Sequence, residues 1–264
     1  MALLTASAVT SPTGASAATQ PPTPTDPLAS AQEIRTDTPE GLAEYLGLAY
    51  ASVDGYWRDV FKEQGLTGPS SFYTAPIPGE DGFSSHCTDE PVAHDTPSFF
   101  YCPWDVYTDD EGVTHSGAIH FPVTTARAVG NRTGDFALAT VMAHEYGHDV
   151  QRELMDQLNL RDIVQMKDGA PVLEDGDTVN VKESELIADC FSGNWTKYVS
   201  QQGLVATADL SEAVNALELA GDKEIGGAHP HGSKQERTTA FTLGYDSGDL
   251  MECARQYWVT ERWE

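Results

Sequence analysis

The chain has 264 residues, four of them cysteine, and its 15 basic and 41 acidic side chains give a formal charge of −26. That length closes one large domain or two small ones around a core that needs no metal or disulfide, and a 40% hydrophobic share is that of a folded protein. The acidity argues against nucleic acid or an anionic membrane surface as partner, since both attract Lys and Arg; no apolar run is long enough to span a bilayer, and a self-repelling surface favours a monomer.

Met1–Val9 is mildly apolar, and Ser16-Ala17-Ala18 resembles the small-residue end of a secretory signal, although the basic n-region is missing. The following Gln20–Pro27 is rich in Pro and Thr and reads as an extended linker. We therefore divide the chain into a truncated signal-like segment with a disordered linker over 1–35 and a folded domain over 36–264. Thr38-Pro39 has the form of an N-cap followed by Pro in the first turn, and Leu42, Leu46, Ala49, Val53, Trp57 and Val60 continue at helical spacing towards Gly65. Residues 66–96 read as loop. Short strands are expected at Ser98–Tyr101, Asp105–Thr108 and Ala118–Phe121, broken by Pro103 and by the turn Asp109–Gly112. Helices are expected from Asp135 to about Leu158, from Lys182 to Val199 and from Asp209 to Ala220. A last one should follow a Ser233/Glu236 capping box and run to about Tyr245. Residues 167–180 and 221–232 read as loops. The layout is α+β and helix-dominated, with a small β region before the long central helix.

Cys87, Cys102, Cys190 and Cys253 allow three pairings, a local Cys87–Cys102 bridge among them. They form no Cys-x-x-Cys pair of the kind that binds zinc or runs thiol exchange. Disulfides would place the protein outside the reducing cytosol, secreted or in the cell envelope.

The central helix carries HEYGH over 144–148. Histidines at i and i+4 share a helix face and can reach one zinc ion, and Glu145 beside them can act as base towards a water on that metal. A catalytic zinc needs a third protein ligand and one open position. In ESELIADCFSGNW (183–195), Glu185 and Asp189 are again at i and i+4. One carboxylate can complete the metal shell, and the other can accept the remaining N–H of a liganding histidine.

GDFALATVMAHEYGHDVQ (134–151) and ESELIADCFSGNW resemble the bacterial neutral zinc metallopeptidase family, which belongs with zincins that use a Glu ligand. FFYCPWDVYTD (99–109) resembles the family's Tyr-Cys-Pro segment, and HGSKQERTTAFTLGYDSGD (231–249) its C-terminal segment. The resemblance implies a zincin-like domain, a zinc cofactor and a protein or peptide substrate. It implies His144, His148 and Glu185 as zinc ligands, Glu145 as general base and Asp189 behind a liganding histidine, with Glu183 or a swapped Asp189 as alternative third ligands. It also favours the pairing Cys87–Cys102 and Cys190–Cys253. The sequence departs from the family at Asp149, where His is usual; helical geometry turns that position away from the metal.

His231, in a Gly-rich loop, is the expected second donor to the oxyanion, with Arg237 as the other candidate unless it forms a buried ion pair. Tyr146 is expected to pack. The strand at Ala118–Phe121 is the expected edge beside which substrate binds. Asp109–Glu111 and Glu174–Asp177 lack calcium-loop spacing and read as solvated turns. The expected activity is zinc-dependent endopeptidase. Its rivals are a non-catalytic extracellular binding protein holding structural zinc, for which Glu145 would be superfluous, and a zincin acting on another bond.

Overall fold

A computed structural model of the chain describes residues 26–31, 34–158, 165–166, 182–220 and 231–259. Within the segment read as linker, Pro27–Ala31 forms a short helix, α1. Asp26 accepts from the Leu28 N–H, and Leu28 and Ala31 are buried in the core, so apolar burial outweighs the Pro-rich composition here.

The expected helix after Thr38 is α2, Pro39–Glu63, opened by the Thr38 hydroxyl accepting from the Gly41 N–H. Its buried stripe Leu42, Leu46, Ala49, Val53, Trp57 and Phe61 faces the core. The loop expected over 66–96 contains a short strand, β1 (Phe72–Thr74). The two strands expected around Pro103 are one, β2 (Phe100–Thr108), with a bulge between Cys102 and Val106. Proline is tolerated there because β2 lies at a sheet edge, where an N–H need not join a ladder. The next strand, β3 (Thr114–His120), pairs parallel with β1 and antiparallel with β2, giving the order β1-β3-β2. Ala118–His120 therefore lies on the central strand, paired on both sides, so it is not the free edge that was expected; the edges of this sheet are β1 and β2.

A helix that patterning did not reveal, α3 (Val123–Thr133), leads through Gly134 into α4, Asp135–Gln157. Gly134 sits at φ 97°, where a Cβ would also overlap the Glu212 carboxylate; that carboxylate accepts from the Phe136 N–H and so caps α4. A two-residue β4 (Gln165–Met166) precedes α5 (Lys182–Gln201), α6 (Thr207–Ala220) and α7 (Lys234–Ser247). The Ser233/Glu236 capping box is present at the start of α7. An unforeseen α8 (Leu250–Tyr257) runs into β5 (Trp258–Val259), which pairs with β4.

The core lies between α2, the sheet, α4 and α5. Trp57 meets Phe191 edge-on at 5.2 Å, Phe136 stacks on Trp195 at 5.8 Å, and the Trp195 indole donates to Ser52. Disulfides join Cys87 to Cys102 and Cys190 to Cys253, the pairing the family resemblance favoured. The second ties α8 to α5. No described helix is long and apolar enough to cross a membrane.

Candidate metal centre

Two close helix crossings build the site. At Gly147 in α4 a Cβ would lie 3.0 Å from the Ala188 Cα in α5, so glycine lets the two backbones meet. His144 and His148 stand three residues before and one after Gly147. Glu185 and Asp189 stand three before and one after Ala188. The crossing therefore turns both pairs towards each other. At the second crossing, a Cβ on Gly244 in α7 would overlap the Cys190 carbonyl, and one on Gly193 would overlap that of Phe241. Bonds from Lys182 to Glu236 near the helix starts and from Lys197 to the Asp246 carbonyl near their ends hold α5 and α7 side by side. This brings Arg237 against Asp189.

His144 Nε2 lies 3.3 Å from one Glu185 oxygen and His148 Nε2 lies 3.6 Å from the other, and the three donor atoms fall within 4.8 Å of one another. A tetrahedral zinc with bonds of about 2.0–2.1 Å sets its ligand atoms about 3.3 Å apart, so the donor set fits that ion. The far nitrogen of His144, Nδ1, is 2.8 Å from Asp189, which fixes the ring with Nε2 towards the cluster. Asp189 is in turn gripped by Arg237, whose Nε and Nη2 donate to its two oxygens at 2.7 and 2.8 Å. Arg237 thus forms the buried ion pair that was the alternative to an oxyanion role. His148 Nδ1 neighbours the Gln151 amide, itself bonded to the Ser184 carbonyl. Among the described residues Glu183 stays outside the donor cluster.

Without a cation these buried charges must balance one another. Burial alone would lower the His144 pKa, but Asp189 and Glu185 outweigh it and push it up to about 10. Burial lowers His148 to about 4. It works against ionisation of Glu185 too, yet His148, His144 and Arg237 hold that carboxyl below its usual range. Asp189 is likewise depressed: burial opposes this, and Arg237 and His144 overcome it. Glu145 is raised to about 7, mainly by burial, with His144 opposing and the Glu185 charge adding to the rise; the Tyr101 main-chain N–H bonds its carboxylate.

A cleft of about 640 Å³ opens over the cluster. Phe99, Phe100 and Tyr101 line it from the β2 side, Val129 and Arg132 from α3, and Val141 with His144, Glu145 and His148 from α4. Ser184 and Glu185, Ala216, Leu217 and Leu219 of α6, then His231 and Arg237, complete the wall. All of the expected site residues except Asp189 thus line one cleft, and Asp189 stands behind His144. Tyr146 points elsewhere: its hydroxyl donates to Asp54 and its ring packs near Tyr50. Asp149 also points away from the cluster. It is buried, accepts from the Tyr101 hydroxyl and pairs with Arg152, which clamps β2 to α4. Neither Gln151 nor this clamp was foreseen; the Asp149/Arg152 spacing of i and i+3 is the one readable signal. Asp109 accepts from the Glu111 and Val113 N–H groups and from His115, as a turn residue does. Glu174–Asp177 lies outside the described residues.

The three donor atoms form a group that could hold a metal ion, with the Asp189 carboxylate behind it. The family model described as "putative neutral zinc metallopeptidase" matches residues 10–255, and the chain belongs to that family. It is 30% identical over 246 residues to the uncharacterized protein YpfJ of Escherichia coli K12, covering 86% of this chain and 76% of the relative. It is 32% identical over 175 residues to the uncharacterized protein Rv2575 of Mycobacterium tuberculosis, covering 58% and 53%. No solved structure matches the chain.

Proposed function

We propose that the protein is an extracytoplasmic zinc-dependent endopeptidase with a zincin-like fold. His144, His148 and Glu185 hold the metal, Asp189 orients His144, and Glu145 is the general base. The observation that carries the reading is a half-buried Glu145 that lines the cleft together with two histidines whose Nε2 atoms converge on Glu185. Zinc bound there supplies Lewis acidity towards a peptide carbonyl and towards water.

Glu145 accepts the proton of the attacking water and returns it to the leaving nitrogen. In the metal-free site burial raises this carboxyl to about 7, which places it towards the neutral range such an exchange needs. Asp189, kept anionic by Arg237, holds the His144 ring in the tautomer that frees Nε2. His231, which lines the cleft, is the donor to the developing oxyanion. The β2 edge along the cleft suits an extended peptide. The two disulfides support an oxidising compartment.

Glu145→Gln tests the reading. The variant should keep its zinc and lose casein hydrolysis by about 10²–10⁴-fold. Undiminished hydrolysis removes Glu145 from the mechanism. A wild-type protein that binds zinc yet cuts nothing makes it a binding protein instead.

A further inference from the structure

Arg132 stands in the last turn of α3, is exposed, and lines the cleft over the metal cluster. The cleft wall holds one other arginine among the described residues, Arg237, which is spent on Asp189. The Arg132 guanidinium forms no hydrogen bond or ion pair among the described residues. The carboxylates that flank the turn from α3 to α4 are committed elsewhere: Asp135 accepts from the Thr36 hydroxyl and Glu212 from the Phe136 N–H. A basic residue in a last turn complements the helix dipole wherever its head points. In a chain with 41 acidic and 15 basic side chains, however, an unpaired guanidinium on a cleft wall is the exception. Its neighbours on that wall are apolar. Val129 lies one turn before it on the same face of α3. Val141 lies three residues before His144 on the same face of α4, nearer the end that joins α3. Ala216, Leu217 and Leu219 of α6 close the wall, and Leu219 is 60% exposed.

We propose that Arg132 anchors a carboxylate of the peptide substrate while the apolar wall takes the side chain next to it. The proposal rests on the peptidase reading and names the substrate class: peptides with a large apolar residue beside a carboxylate, which an acidic side chain or a chain end supplies. A guanidinium meets a carboxylate in two parallel bonds, and such charge-assisted pairs are stronger than neutral ones. The apolar wall binds by burying area and reads no charge, so Arg132 is the residue that sets this preference. A cleft of about 640 Å³ has the size of a small-ligand pocket, so a peptide carboxylate within a few residues of the metal cluster lies inside its walls. The acidic surface elsewhere repels such a substrate, but at physiological salt that repulsion is screened beyond about 8 Å, whereas a contact inside the cleft is screened much less.

The test uses peptides of one sequence, with Leu beside the scissile bond and Glu, Gln or Lys placed in turn at each of the three positions on either side. A second series ends at those positions, as free acid and as amide. Cleavage is read by chromatography. At one position Glu should exceed Gln about tenfold in kcat/KM, and Lys should fall below Gln. Arg132→Gln should bring the Glu-to-Gln ratio there to about one, and Arg132→Glu should make Lys the preferred residue. Arg132 is exposed and unpaired among the described residues, so both variants should keep the wild-type thermal midpoint. If the preference follows the free chain end, vanishes on amidation and depends on Arg132, the anchor stands and the enzyme is a carboxypeptidase. A carboxylate preference that survives Arg132→Gln, or none in either series, overturns the proposal. Fluorescence anisotropy on the zinc-loaded Glu145→Gln background reads binding without turnover. There the acidic peptide should bind about tenfold more tightly than its neutral counterpart, and adding Arg132→Gln should remove the difference. That result supports the anchor even if wild type cuts nothing, in which case the peptidase reading alone fails. Equal binding of acidic and neutral peptides in both series overturns the anchor.

Discussion

Arg237→Met removes a guanidinium whose side chain is 4% exposed from a carboxylate that is fully buried. Asp189 then loses donors at 2.7 and 2.8 Å and keeps only its bond to His144. Neither group is screened by solvent, so the cost is that of stranding a buried charge, about 3–5 kcal/mol. At about 2–4 °C per kcal/mol for a domain of this size, the thermal midpoint of the metal-free protein should fall by about 6–20 °C. The pair's contribution is present above the ordinary Asp pKa of about 3.9 and is lost as pH falls through the depressed folded value, so the difference between variant and wild type should shrink in acid. Adding Asp189→Asn should restore part of the stability, because no unpaired charge stays buried. It should also weaken zinc binding about 10–100-fold, because His144 loses its orienting carboxylate. Calorimetry and a competitive zinc chelator measure both quantities. An Arg237→Met protein within about 1 kcal/mol of wild type refutes the argument that this ion pair is held away from water.

Three further outcomes follow from the same geometry. With Glu145 raised to about 7, its acceptor form is lost as pH falls through that region, so kcat/KM should decline on an acid limb no higher than about 7; a rate that rises as pH falls refutes the base assignment. With His144 at about 10 in the metal-free site, zinc uptake at neutral pH should expel close to one proton from its imidazole. Titration calorimetry in buffers of different ionisation enthalpy counts that proton, and none released contradicts the charge balance. Replacing both Cys190 and Cys253 by Ala opens a closed loop of 63 residues and should cost about 4 kcal/mol, read as a lower urea midpoint; an unchanged midpoint counters the chain-entropy account.

The helices that carry chemistry were legible in the sequence because their signals are local. HEYGH, the Glu185/Asp189 spacing and the Ser233/Glu236 cap each declare themselves within one or two turns. What joins them is not local. Nothing in the sequence near Arg237 says that it will grip Asp189, which lies 48 residues away. Helix α3 escaped notice because just Val123, Ala126 and Thr133 are buried along it, too few to give a periodic stripe. For α8 a signal was available: Asp249 caps a helix whose Leu250, Cys253, Ala254 and Tyr257 recur at helical spacing. Pro103 was misleading, since its effect depends on whether the strand lies at an edge, and that is a property of the sheet. The buried Asp105–His120 pair escaped for the same reason as Arg237, its partners being 15 residues apart and on different strands.

His144 meets Asp189 across 45 residues and Arg237 across 93. A chain leaving the ribosome or a translocation channel therefore presents its two histidines long before the groups that orient them exist. The group that steadies Asp189, and through it the His144 ring, arrives only with α7, which packs along α5. The order of the elements thus delays the assembled cluster: the contacts among His144, Asp189 and Arg237 can form only after the chain has been made through α7.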